Sequence, residues 1–88
     1  MIESEATIVN SLGMHARPAA KVVKLASSFR SNIELAYNDQ VVNGKSIMGV
    51  MTLAAECGAV VRVRTDGVDE EPAMAALLAL IARGFDEA

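Results

Sequence analysis

Along this chain, apolar and polar positions alternate in short stretches and then change to three- and four-residue steps, and those changes mark out the elements. From Ile2 to Val9, Ala6 and Ile8 share one alternating face, which predicts a half-buried strand that Asn10, Ser11 and Gly13 interrupt. From Ala16 to about Ser28 the pattern is helical: Ala19, Val22, Val23 and Ala26 recur on one side, with Lys21 and Lys24 between them. Pro18 fits the first turn, where amide hydrogens have no internal acceptor. Asn32 to Tyr37 alternates again with Ile33, Leu35 and Tyr37 inward, and Asn38-Asp39 turns the chain into Gln40–Val42 as a hairpin. Ser46 is an N-cap before Ile47, Met48, Val50, Met51 and Leu53, a short second helix that Gly58 punctuates. Ala59 to Thr65 sets Val61, Val63 and Thr65 against Arg62 and Arg64 as a further strand. Asp69, Glu70, Glu71 and Pro72 then open a third helix with the apolar stripe Met74, Leu77, Leu78, Ile81 and Phe85.

The resulting order is β-α-β-β-α-β-α. Alternating strands and amphipathic helices bury their apolar sides together when all three helices lie on one face of a four-stranded antiparallel sheet, so the expected class is α+β, an open-faced β-sandwich.

Composition narrows the picture. At 88 residues the chain is expected to form one domain spanning 1–88, with room for a surface site but hardly for a deep cleft. Aromatic residues are only 3% of the chain, so its core has to be built from Ala, Val, Leu, Ile and Met. A net charge of -3 and few stacking rings argue against a general nucleic-acid binder, although Arg17, Lys21 and Lys24 can share one helical face. The start of the chain lacks the cationic and apolar segments of a secretory signal, and no apolar run reaches membrane-spanning length. The single Cys57 cannot form an internal disulfide, which fits a reducing cytoplasm; beside Gly58 it is expected to be semi-buried and chemically quiet.

The candidate chemistry centres on His15, the only histidine, placed just before a helix start and followed by Arg17-Pro18. Unpaired amides and the helix dipole make such a start an anion site, and a guanidinium can hold a phosphate through two hydrogen bonds. Imidazole suits reversible phosphoryl carriage because it is nucleophilic when neutral and leaves readily when protonated. Position alone also allows His15 to be a simple helix-start residue and Arg17 a solvated charge. A zinc site is disfavoured without a second His or paired Cys, and a serine hydrolase without a nucleophile elbow. Ser46 is sufficiently explained as an N-cap, but a phosphate on it would sit at a helix start and be felt by partners touching Ile47, Met48 and Met51. So apolar a segment cannot bury every side chain, and exposed Met suits a surface that accepts different partners in turn.

These residues carry a family resemblance. Leu12-Gly13-Met14-His15-Ala16-Arg17-Pro18-Ala19 resembles the active-site signature of the histidine-containing phosphocarrier (HPr) family, and Ser46-Ile47-Met48-Gly49-Val50-Met51 resembles its regulatory serine segment. The resemblance spans almost the whole chain. It implies a cytoplasmic, monomeric carrier of the phosphoenolpyruvate-dependent phosphotransferase system, a covalent substrate rather than an enzyme, with no cofactor, metal, nucleic-acid partner or membrane insertion. It further implies that enzyme I phosphorylates Nδ1 of His15, that Arg17 orients the phosphoryl group, and that an enzyme IIA domain receives it. Ser46 becomes the target of an HPr kinase/phosphorylase, and Ala20, Lys24, Ile47, Met48 and Met51 the partner-binding surface. Leu12-Gly13-Met14-His15 and Gly84-Phe85-Asp86-Glu87 are similar to a nitrogen-related regulatory branch, whereas Gly44–Gly49 is similar to the kinase-regulated, sugar-transport form. Outside the resemblance stands a small-ligand-binding module of related topology, in which His15 and Arg17 would be replaceable.

Overall fold

The computed structural model describes residues 1–87. Its strands are β1 (Ile2–Thr7), β2 (Asn32–Tyr37), β3 (Gln40–Asn43) and β4 (Val60–Asp66); its helices are α1 (Ala16–Ser27), α2 (Ile47–Thr52) and α3 (Glu70–Ala82). The strands form one antiparallel sheet in the order β1-β4-β2-β3 with three helices against it, so the expected α+β open-faced sandwich is what the chain adopts.

The two-residue period decides which face is which. Val61, Val63 and Thr65 of β4 are buried while Val60, Arg62, Arg64 and Asp66 are exposed; in β2, Ile33 and Leu35 are buried. Register pairs Arg64 with Glu3 on one side and Glu34 on the other, giving ion pairs at 3.0 and 3.3 Å across the open face. On the covered face, Ile8, Val22, Leu35, Val50, Leu77, Ile81 and Phe85 meet in one core. Asn38 and Asp39 both take left-handed backbone angles, φ 53° and 66°, as the two central residues of a tight hairpin turn with the strands' own twist do.

Four expectations need correction. The second helix stops at Thr52, well before Gly58, because Ala54 turns into the left-handed region at φ 51°. Phe85 lies beyond α3 rather than on its stripe: the helix ends at Ala82, and Gly84, Phe85 and Asp86 follow in left-handed conformation with φ 64°, 58° and 60°. The Phe85 ring is nonetheless fully buried. Left-handed geometry at a residue with a Cβ costs about 1–2 kcal/mol, and burying the ring contributes about 2–3 kcal/mol, so the turn is held by what it inserts. Leu78 is only half-buried while Ala73 and Leu80 are buried, because α3 packs against β1, β4 and α1 together and is apolar around most of its circumference. Cys57 is exposed rather than semi-buried, its Sγ 3.8 Å from the Val9 carbonyl oxygen.

Among the described residues no helix is long and apolar enough to cross a membrane.

Candidate functional site

The loop between β1 and α1 is fixed by its neighbour. Gly13 sits at φ 68°, and a Cβ there would lie 2.5 Å from the Ala55 carbonyl oxygen and 2.8 Å from Glu56 Cα, so only glycine fits. The next amide, of Met14, donates to that same carbonyl oxygen at 2.7 Å, and the Met14 side chain is buried. Asn10, itself buried, accepts the Gly13 amide with its carbonyl oxygen at 3.1 Å and donates from Nδ2 to the Gly13 carbonyl oxygen at 2.8 Å. His15 is thereby delivered to the N-cap of α1 in extended conformation.

At this helix start the side chain makes no capping hydrogen bond, and the first turn carries no acid. Among the described residues the amides of Ala16 and Arg17 have no acceptor; Pro18 has none to offer, and the first internal bond runs from the Ala19 amide to the His15 carbonyl oxygen at 3.0 Å. Two free donors therefore remain beside a half-exposed imidazole, as an anion site requires. Arg17 is exposed, and its guanidinium forms no ion pair among the described residues. Lys21 departs from the basic face expected for it: its Nζ is turned to the Phe85 carbonyl oxygen at 2.6 Å, leaving Arg17 and Lys24 as the cations of α1 without a partner among the described residues.

The residue the sequence reading gave no role is Glu87. Its Oε1 lies 3.1 Å from His15 Nε2 and accepts from Asn10 Nδ2 at 3.0 Å. The hydrogen bond from His15 holds the Glu87 carboxyl below the usual carboxylate range, with smaller help from the Asn10 amide and the Arg17 charge. An ionised carboxylate only accepts, so the ring proton is on Nε2 and, in the neutral ring, the lone pair is on Nδ1. Having given both amide hydrogens to this site, Asn10 leaves its buried Oδ1 without a partner among the described residues, a cost of about 1–3 kcal/mol. Nothing local in the sequence announces Glu87, because 72 positions separate it from His15.

Ser46 is the N-cap of α2, with its Oγ accepting from the Gly49 amide at 3.1 Å. Val50 turns into the core while Ile47, Met48 and Met51 remain 43%, 71% and 41% exposed, so the short helix does leave most of its apolar residues outside. Because α2 packs against α1, these residues join Ala20 and Lys24, both exposed on α1, on the helical side of the molecule. Leu12, 74% exposed in the His15 loop, is a further apolar surface residue that the pattern did not single out.

Among the described residues no group of three His, Cys, Asp or Glu side chains could hold a metal ion. An open hollow of about 530 Å³ lies on the far face of the sheet, lined by Glu5, Tyr37, Gln40, Val41 and Arg62, well apart from His15.

The chain matches the family model PTS-HPr, described as the PTS HPr component phosphorylation site, over residues 2–83. It is 52% identical over 87 residues to the phosphocarrier protein HPr of Cupriavidus necator, covering 99% of this chain and 98% of that protein. This chain belongs to the HPr family. HPr of Pseudomonas aeruginosa is 45% identical over 84 residues, 94% of this chain and 93% of its own. The crystal structure of HPr-C-His from Thermoanaerobacter tengcongensis superposes with a TM-score of 0.95 at 45% identity, covering 100% of this chain and 99% of that one. An HPr dimer from the same organism matches at a TM-score of 0.79 and 46% identity, covering 99% of this chain and 100% of that one. Family membership makes this a phosphocarrier of the phosphotransferase system rather than a catalytic enzyme.

Proposed function

We propose that the chain, acting as one unit over residues 1–88, accepts a phosphoryl group on Nδ1 of His15 from enzyme I and passes it to an enzyme IIA domain in the cytoplasm. The observation that carries this reading is the uncapped start of α1, where a half-exposed imidazole with its Nε2 occupied by Glu87 stands beside two free amides. The Nδ1 lone pair forms the N–P bond as the donor's bond to phosphorus breaks and its electron pair leaves with the donor. The amides of Ala16 and Arg17 and the Arg17 guanidinium then hold the phosphoryl oxygens.

Ala20, Lys24, Ile47, Met48 and Met51 serve as the docking surface, with Met supplying the adaptability that successive partners demand. Phosphorylation of Ser46 by an HPr kinase/phosphorylase would set a dianion beside Ile47 and Met48 and weaken exchange with enzyme I by charge and desolvation. The carrier acts as a monomer, since a molecule meeting its partners through one small face gains nothing from covering it. The output branch, sugar uptake or a regulatory nitrogen relay, follows from which enzyme IIA it meets.

The test is incubation with enzyme I and phosphoenolpyruvate, followed by intact-mass measurement after acid and alkali, with His15→Ala alongside. An acid-labile, alkali-stable phosphate that vanishes in the variant is the expected result. If competent enzyme I leaves the protein unmodified, His15 is a helix-start residue and the carrier reading fails.

A further inference from the structure

Glu87 reaches His15 by a route that is conformationally expensive at every step. The chain leaves α3 through three consecutive left-handed residues, two of them with a Cβ. Phe85 is sunk in the core, and Lys21 Nζ holds its carbonyl oxygen at 2.6 Å. From that anchor Glu87 arrives with its carboxylate oxygen 3.0 Å from Asn10 Nδ2 and 3.1 Å from His15 Nε2. Asn10 holds Glu87 while leaving its own Oδ1 buried and unpaired. Strain and an orphaned polar atom converging on one contact mark a place where structure has been spent on something other than stability.

From this geometry we infer that Glu87, held by Asn10, is a positioning residue for phosphoryl transfer: it keeps the His15 proton on Nε2 throughout the cycle. The inference rests on the reading of His15 as the acceptor. On accepting the phosphoryl group, Nδ1 contributes its lone pair to the N–P bond, the ring becomes cationic, and its proton stays on Nε2 facing the carboxylate. On release the N–P bond breaks, its electron pair returns to Nδ1, and the ring is again neutral with Nε2–H. No proton moves between the ring nitrogens in either direction. Without Glu87, the tautomer bearing hydrogen on Nδ1, which has no lone pair to attack with, competes for the resting ring.

The experiment uses the whole chain as wild type, Glu87→Ala and Glu87→Gln. Long-range ¹H–¹⁵N spectra of the His15 ring, recorded on unphosphorylated protein, give the tautomer ratio without any partner. In Glu87→Ala the Nδ1–H form is expected to rise about fivefold, and phosphorylation by enzyme I to slow by a similar factor, as loss of one charge-assisted hydrogen bond implies. Glu87→Gln, whose amide oxygen still accepts from Nε2–H, is expected to restore most of both. Ring-nitrogen shifts unchanged in Glu87→Ala would overturn the inference outright, and shifted spectra with an unchanged transfer rate would overturn the positioning role. A wild type that enzyme I leaves unmodified would instead sink the carrier reading, and the transfer role with it, whatever the spectra show.

Discussion

The two long helices of this molecule begin in opposite ways. At the start of α3, Asp69 accepts the backbone amides of Arg30 and Ser31 at 2.8 and 2.9 Å as well as the Ser31 hydroxyl. Glu70 accepts the Gly67 amide at 3.1 Å and faces the Met1 ammonium at 2.9 Å. Asp69 and Glu70 are both committed, while Glu71 stays exposed, and the start of α3 is tied to the turn that follows α1. Neither N-cap side chain bonds its own helix, but the start of α1 has no acid in its first turn and carries an exposed arginine. One entrance is occupied by acids held against neighbouring loops, and the other is left free of them on a rigid loop. The difference separates a structural helix start from one that has to receive an anion, and α2, capped by Ser46, belongs with the structural kind.

The largest expected effect attacks the rigidity of the open entrance. Gly13→Ala would force a Cβ against the backbone of Ala55 and Glu56 at a left-handed position and should cost at least about 2 kcal/mol in chemical denaturation. A loss below about 0.5 kcal/mol would mean that the loop yields, and that His15 is not held as the structure shows.

Acid titration tests the occupied entrance. Asp69 is held at about 2, first by the Ser31 hydroxyl and then by the Arg30 and Ser31 amides. Its folded value lies below the unfolded one, about 3.9, so its stabilisation is complete above pH ~4 and disappears as pH falls toward 2. Urea midpoints measured from pH 5 to pH 2 should fall more steeply for wild type than for Asp69→Asn, and parallel curves would show that the carboxylate is not so engaged. At α2, Ser46→Ala should cost about 1 kcal/mol through the lost cap to the Gly49 amide. An unchanged midpoint would return Ser46 to a purely regulatory interpretation.

Much of this contrast is written locally in the chain. Ser46 before an apolar run, Asp69-Glu70-Glu71 before Pro72, and His15-Ala16-Arg17-Pro18 at a change of period each place a helix start within one residue of where it lies. The strands are legible for the same reason, since a two-residue period survives wherever one face is covered. What local pattern misses is left-handed backbone at residues other than glycine. Ala54 ends α2 early and Phe85 leaves α3 with no compositional signal for a left-handed backbone, because burial of Leu53 and Ala55 beside the one and of the Phe85 ring itself stabilises these conformations. The site was half legible on the same principle: His15, Arg17 and Ser46 belong to short contiguous motifs, whereas Asn10 and Glu87 act through contacts that only the folded chain creates.

The smallest effect expected is also the one that most sharpens the comparison, because its sign is opposite to the others. If the α1 entrance is open for the sake of a ligand, closing it should stabilise the protein. His15 already has the extended backbone of an N-cap, with φ -93° and ψ -169°, so a serine there can accept an amide of the first turn without rearrangement. His15→Ser gives up the hydrogen bond to Glu87, whose carboxylate is only 12% exposed, so its proper reference is His15→Ala, which gives up the same bond. The serine variant should therefore be more stable than His15→Ala by about 1 kcal/mol, while losing all phosphorylation at this position. Denaturation of the two variants side by side decides it. Serine and alanine variants of equal stability would show that the amides of Ala16 and Arg17 are not available to an acceptor, and the uncapped start of α1 would lose its meaning as a phosphate site.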